Sequence, residues 1–297
     1  MINVLNYQFL ESVSRRSLLG IRFWDSALNA QIHSGLIAVL HPYENSRKKV
    51  YASCTRSGIY VFNSIPGMLD AETQQDDQTQ ASSPPETQQY VLEVHDPKGR
   101  FTSVAVLVTL PLPYNGLYLV DNDLGSPANA VRGFNLYSSI TRAASSQYAF
   151  VRGDLLIRDT EGPEPAAHAV VKVDTEDGLS WFGISDKNGK FAVMMPYPFL
   201  DISFGSSPPT SDGVRLFQRN WVVTISVQYE PLAQLRLPGS ELPDYLSVLN
   251  QQQANIYEDL EEEDEVDMAV RLEYGRDLIL RTEGFSELYI SPIGSPA

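Results

Sequence analysis

Cysteine is almost missing from this chain of 297 residues. Cys54 is the single one, so an intramolecular disulfide framework is excluded and the fold must rest on its own cores. Histidine is nearly as scarce. The four, His33, His41, His95 and His168, include no close-spaced pair of the kind that metal and acid–base sites use. Positive charge is in deficit: 22 Lys and Arg stand against 37 Asp and Glu, for a formal net charge of −15. That balance repels a phosphate backbone or an anionic bilayer, so no nucleic-acid partner is expected. Long apolar runs are lacking too. None approaches the roughly 20 residues that span a bilayer, and Met1–Asn6 has no basic cluster leading into an apolar core. The expectation is a cytoplasmic protein with no direct membrane insertion. Three signatures are also absent: the Gly-x-Ser-x-Gly elbow, the Gly-x-x-x-x-Gly-Lys phosphate loop and Gly-x-Gly-x-x-Gly.

What the chain does have is a phrase used twice. It reads Asp96-Pro97-Lys98-Gly99-Arg100-Phe101 and again Asp186-Lys187-Asn188-Gly189-Lys190-Phe191. In Asp-x-x-Gly the carboxylate bonds backbone N–H groups ahead of it, and Gly accepts the positive φ that closes the turn. A basic residue and Phe then open a strand. A looser version, Arg56-Ser57-Gly58-Ile59-Tyr60-Val61-Phe62, lacks the Asp. Around these turns lie short apolar runs bounded by Gly, Pro, Asn and Ser, such as Leu36–Leu40, Val104–Val108 and Trp221–Val227. Hydrophobic residues make up 43% of the chain, enough to fill two cores. The pattern predicts an all-β protein of two tandem antiparallel sandwiches.

The expected organisation is an N-terminal segment 1–14, then a first sandwich over 15–125 with a disordered glutamine-rich insertion at 70–89. A linker follows at 126–147, then a second sandwich at 148–235. Residues 236–268 read as a short helix, with Pro243 near its start, plus an acidic loop; 269–297 read as C-terminal strands. The run from Glu258 to Asp267 carries eight acidic side chains in ten positions. It lacks the Gly and Asn that bend calcium loops, so it reads as a solvated loop complementary to a basic neighbour.

The order of strands and turns, clearest from Val151 to Pro196 and present from Leu18 to Gly67, resembles the transthyretin-like (carboxypeptidase regulatory-like) Greek-key sandwich. That resemblance implies a structural or interaction module. The whole chain also resembles paired β-domain proteins of contractile injection systems, the phage-tail-like particles. The matching phrases include Gly20-Ile21-Arg22-Phe23-Trp24-Asp25, Pro196-Tyr197-Pro198 and Leu242-Pro243-Asp244-Tyr245. What this resemblance implies is a non-enzymatic particle component at or near the baseplate, with the terminal cap as the other position. Its partners would be other protein subunits.

No catalytic, cofactor-binding or metal-binding residues are expected, and no small-molecule substrate. His41-Pro42-Tyr43-Glu44 has the H-x-x-E spacing of zinc carboxypeptidases, but Pro42 after a strand makes it a strand-end turn. Trp24, Trp181 and Trp221 read as core or inter-sheet rings. The loops holding Tyr114, Tyr197 and Phe199 are the candidate partner-binding sites, since flanking prolines cut the entropy lost on docking. Two alternatives stay open for them: they cap their own sandwich, or they present rings to sugars as a carbohydrate- or surface-binding module.

Overall fold

The computed structural model describes residues 16–73, 86–113, 117–118, 133–143, 146–158, 162–198, 219–261 and 265–293. Strand formation follows the period-two pattern. β1 (Leu19–Asp25) buries alternate residues along its whole length, as a strand with one face on a core must. It is followed by β2 (Ala30–Gln31), β3 (Ile37–Pro42), β4 (Val50–Tyr51), β5 (Ser53–Cys54) and β6 (Ile59–Phe62). After a single helical turn, α1 (Leu69–Thr73), come β7 (Gln88–His95), β8 (Val104–Leu110) and β9 (Phe134–Leu136).

These strands make two facing sheets. One has the order β2-β1-β6-β5, with β9 added parallel to β1; the other has the order β4-β3-β7-β8. Leu19, Ile21 and Phe23 of β1 share a core with Leu40, Tyr90, Leu92, Val106 and Val108 of the opposing sheet. Phe23 meets Tyr60 and Phe134 edge-on at 5.0 and 5.8 Å, a favoured aromatic geometry.

The second sandwich begins with β10 (Tyr148–Ile157), β11 (Glu164–Pro165), β12 (Val170–Thr175), β13 (Ser180–Ile184), β14 (Lys190–Pro196) and β15 (Asn220–Gln228). The chain then leaves it. Helix α2 (Tyr245–Leu249) packs Tyr245, Val248 and Leu249 into the core of the first sandwich. The chain returns as β16 (Gln253–Tyr257), β17 (Asp267–Glu273), β18 (Leu278–Ile279) and β19 (Leu288–Pro292). β19 sits between β10 and β16, and β17 pairs along β15. β10 serves four partners: Tyr148–Asp154 pair with β14 and Leu155–Ile157 with β19, while β18 adds at Val151 and Arg152 and β11 at Leu156 and Ile157.

The protein is therefore all-β with sandwich layers, but several segments differ from the sequence expectation. Residues 126–147, read as a linker, contain β9, whose Phe134 and Leu136 are buried in the first core. The insertion read at 70–89 has defined structure at both ends, and residues 74–85 lie outside the described residues. Glu72 of α1 accepts the N–H groups of Ser64 and Ile65 at 3.0 and 2.8 Å, and Gln88 and Gln89 already pair with β8. The second sandwich does not end at 235: strands from 253 to 292 complete it, because β10 and β15 leave edges that β19, β16 and β17 fill. In the acidic run, residues 262–264 lie outside the described residues.

The excursion between β15 and β16 joins the two bodies. Asp244, the N-cap of α2, is buried; its carboxylate accepts from Ser247 N at 3.1 Å and from Leu107 N of the edge strand β8 at 2.9 Å. Leu237 and Leu242 cover Val91 and Ala105 on the outer face of that sheet. Gln251 closes the return. Its amide donates to the carbonyls of His168 and Val248 at 2.8 and 2.9 Å, and its oxygen accepts from Glu230 N at 2.9 Å and the Gln234 side chain at 3.0 Å. Asp244→Ala strips a helix cap and leaves an edge N–H unpaired, so urea denaturation should show a loss of about 1–3 kcal/mol. Asp244→Asn, with one acceptor oxygen left, should fall between.

Candidate functional site between the sandwiches

The two copies of the repeated turn fold alike. Gly99 N bonds Asp96 O at 2.9 Å and Gly189 N bonds Asp186 O at 3.0 Å. Both glycines have positive φ, 64° and 77°. Asp96 accepts from the backbone N–H of Lys98 and Arg100; Asp186 does the same from Asn188 and Lys190. In the looser third copy, Thr55 takes the Asp role, its hydroxyl accepting from Ile59 N at 3.0 Å while Gly58 N bonds Thr55 O.

Both Asp turns open onto one cavity of about 590 Å³ between the sandwiches. Its walls include Glu93, His95, Ser103, Ser139, Asp186 and Lys187, and its rim includes Glu241 and Leu242 of the excursion before α2. Glu93 and His95 share one face of β7. His95 Nδ1 lies 3.1 Å from Ser103 Oγ, and its Nε2 lies 3.9 Å from the Glu93 carboxylate. Lys49 Nζ lies 3.7 Å from the same carboxylate.

The turn charges are mostly spent. Asp96, whose side chain has no exposed surface, pairs with Arg100 Nε at 2.8 Å. Burial alone would raise its pKa, but the Arg100 side chain and the backbone N–H groups of Arg100 and Lys98 outweigh that and hold it below its ordinary 3.8. Lys190 reaches Asp154 at 2.7 Å, and that carboxylate raises the ammonium pKa. His168 also lines the cavity, with φ at 60°; burial lowers its pKa from 6.5, against a smaller opposing pull from Asp186.

Behind the cavity two arginines clasp the chain that links the sandwiches. Arg142 pairs with Asp25 through both ends of its guanidinium, at 2.5 and 3.1 Å, with each side chain 7% exposed. Arg152 of β10 donates to the carbonyls of Ile140 and Arg142. Beside them Ala27 packs on Phe150, Ala192 and Met194, first sandwich against second.

Of the sequence candidates, Tyr114 and Phe199 lie outside the described residues. Tyr197 is half-buried, packs 5.5 Å from Trp221 and 4.7 Å from Tyr274, and its hydroxyl accepts from Gly275 N. It belongs to the margin of the second core. Trp181 and Trp221 also pack there, whereas Trp24 is on the outer face of β1 and donates to Asn29. His41 is fully buried with Nδ1 at Pro42 O, while Glu44 is exposed. Among the described residues no three His, Cys, Asp or Glu side chains are grouped to hold a metal, and no helix is long and apolar enough to cross a membrane. The cavity itself was not read from the sequence, and neither was Glu93; the signal available was a lone acid inside the apolar run Tyr90-Val91-Leu92-Glu93-Val94.

No family model and no curated protein matches the chain. Among solved structures, it is similar to the minor pilin GBS52 of Streptococcus agalactiae at 8% identity and a TM-score of 0.24, over 94% of this chain and 98% of that one. The shaft pilin SpaA of Lactobacillus rhamnosus GG gives 10% and 0.22, over 96% and 100%. The Bacillus anthracis TIE protein gives 8% and 0.23, over 87% of this chain and 44% of that one. TM-scores this low carry no functional conclusion.

Breaking the buried pair with Arg142→Ala strands the Asp25 charge, and the loss on chemical denaturation should be about 3–5 kcal/mol. The pKa shifts also set the acid response. His168 binds its proton more weakly folded than unfolded, so its contribution is whole above pH 6.5 and declines as pH falls below it. Asp96 contributes fully above 3.8 and loses its share as pH drops through its lower folded value. Stability measured against pH should fall in two steps. His168→Asn, which tolerates the left-handed backbone, should remove the first step and leave the second.

Proposed function

We propose that this chain is a non-enzymatic structural component of a phage-tail-like contractile injection particle, seated at or near its baseplate. The terminal cap of the same particle is the alternative position. The resemblance to paired β-domain proteins of such systems motivates the particle; the transthyretin-like order of strands and turns motivates the module type. One observation supports the structural role most: the chain leaves the second sandwich, seats α2 in the core of the first and returns. Two bodies joined this way offer partners a surface with little freedom left to lose, and less lost entropy means tighter docking. In an assembly each copy then gains from many neighbours at high effective concentration.

A second reading, a carbohydrate- or surface-binding module, draws on the half-buried trio Tyr197, Trp221 and Tyr274. It requires at least one ring face to be free for a sugar, whereas Tyr197 is already committed to both neighbours. Glycan binding that disappears on Tyr197→Ala, with the fold kept, would favour it. For the particle reading, the test is electron microscopy of particles from cells that express this chain with sheath, tube and spike subunits. Paired sandwich density should stand at one end of the tail. Complete particles that form without the chain and never retain it would refute the proposal.

A further inference from the structure

We propose that the cavity between the sandwiches is a socket for a cationic side chain of a partner protein, an arginine or lysine, with Glu93 as its counter-ion. The inference deepens the reading of the chain as a subunit among protein partners and rests on it.

Asp25, Glu72, Glu93 and Asp244 are the buried acidic residues among those described, and the Asp96 side chain is covered as well. All but Glu93 are held by hydrogen bonds, those of Asp96 coming from Lys98 N, Arg100 N and the Arg100 side chain. Asp25 accepts from Ala27 N, Leu28 N and Arg142; Glu72 accepts from Ser64 N and Ile65 N; Asp244 accepts from Ser247 N and Leu107 N. Glu93 is different. Its side chain is 10% exposed, and its cationic neighbours stand at 3.7 and 3.9 Å, beyond hydrogen-bonding length. Its oxygens are not among the buried atoms left without a partner, so besides Lys49 and His95 they meet the solvent of the cavity. A guest that displaces that solvent must bring hydrogen bonds of its own to offset the lost hydration.

The position of Glu93 compounds the cost. In the sheet it stands across from Val39 on one side and Ala105 on the other, on the face where Leu237 and Leu242 cover apolar neighbours. A valine there would extend that small core. Instead the carboxylate lines the cavity, where the open space lies. A guest that takes the place of cavity solvent at this carboxylate must be a donor, and an arginine can supply two parallel N–H groups to one carboxylate.

The remaining walls are mixed in charge, with Asp186 and Glu241 standing against Lys187 and His168. Asp96 and Lys190 are neutralised by Arg100 and Asp154. The hydroxyls of Ser103 and Ser139 and the carboxylate of Glu241 stand around the cavity. Lys49 is 40% exposed on a flexible stem and moves outward without cost to the core. The net charge of −15 draws a basic partner from a distance. A free polyamine shares the ammonium chemistry, so the test must separate it from a side chain.

The test is an NMR titration of arginine amide, lysine amide and spermidine into the chain and into Glu93→Gln. Arginine amide should shift the backbone signals of Glu93, Ser103 and 186–190, and Glu93→Gln should weaken it roughly tenfold, the worth of one charge-assisted bond. Glu93→Gln should melt at the same temperature as the parent or higher. No shift at the cavity, equal affinity in the variant, or a clear drop in its melting temperature would overturn the socket; the last would assign Glu93 to its ion pair with Lys49. Spermidine binding there more tightly than arginine amide would overturn the protein side chain as the guest. If arginine amide binds as expected while no particle ever retains the chain, the socket stands and the particle reading falls.

Discussion

The chain's detour between β15 and β16 is the constraint on which the rest depends. A segment that starts in one sandwich must cover a sheet face, cap an edge strand and fill a core in the other before returning. Asp244 concentrates the polar part of this work, since one buried carboxylate caps α2 and satisfies β8 at once. Tyr245 carries the apolar part: its ring packs 4.6 Å from Phe134, and its hydroxyl donates to Asn135 O. Val170 and Ile184 of the second sandwich join the same core. Separating the sandwiches would expose that apolar surface to water, which is what makes the pair behave as one body.

The cavity follows from this arrangement. Two homologous turns, one per sandwich, meet across the junction because the detour and the arginine clasp hold them there. Each turn spends its Asp on its own backbone, leaving Glu93 as the buried acid that the protein meets only with long ion pairs. Charge at the junction is thus divided between groups that build the fold and one that faces the solvent of the cavity. A guest gains most at such a group, because it competes with no hydrogen bond of the fold.

Much of the fold was legible from local chemistry. Asp-x-x-Gly specifies its turn through atoms within five residues, so both copies could be read directly from 96–100 and 186–190. The apolar runs of β1 and β15, the second nearly all β-branched or aromatic, were equally plain. Non-local facts were hidden. Nothing near Phe134-Asn135-Leu136 shows that three residues will lie beside β1, more than a hundred positions earlier. The third turn was read as lacking its Asp, and Thr55 was missed in that role because a hydroxyl can replace a carboxylate there with no change of backbone. The short helix was visible around Pro243, but its docking partner was not, since an apolar face does not name the surface it will meet. Tyr197 illustrates the converse: flanking prolines marked an exposed tip, while Trp221 and Tyr274, which enclose its ring, come from β15 and from the turn after β17.

The central claim is that the detour fixes the two sandwiches in one relative orientation. Electron spin resonance between labels at Tyr51→Cys and Leu179→Cys, exposed positions on separate sandwiches, measures this in a Cys54→Ser background. The account predicts a single narrow distance distribution, unchanged between dilute buffer and crowded solution. A broad or two-peaked distribution would contradict it.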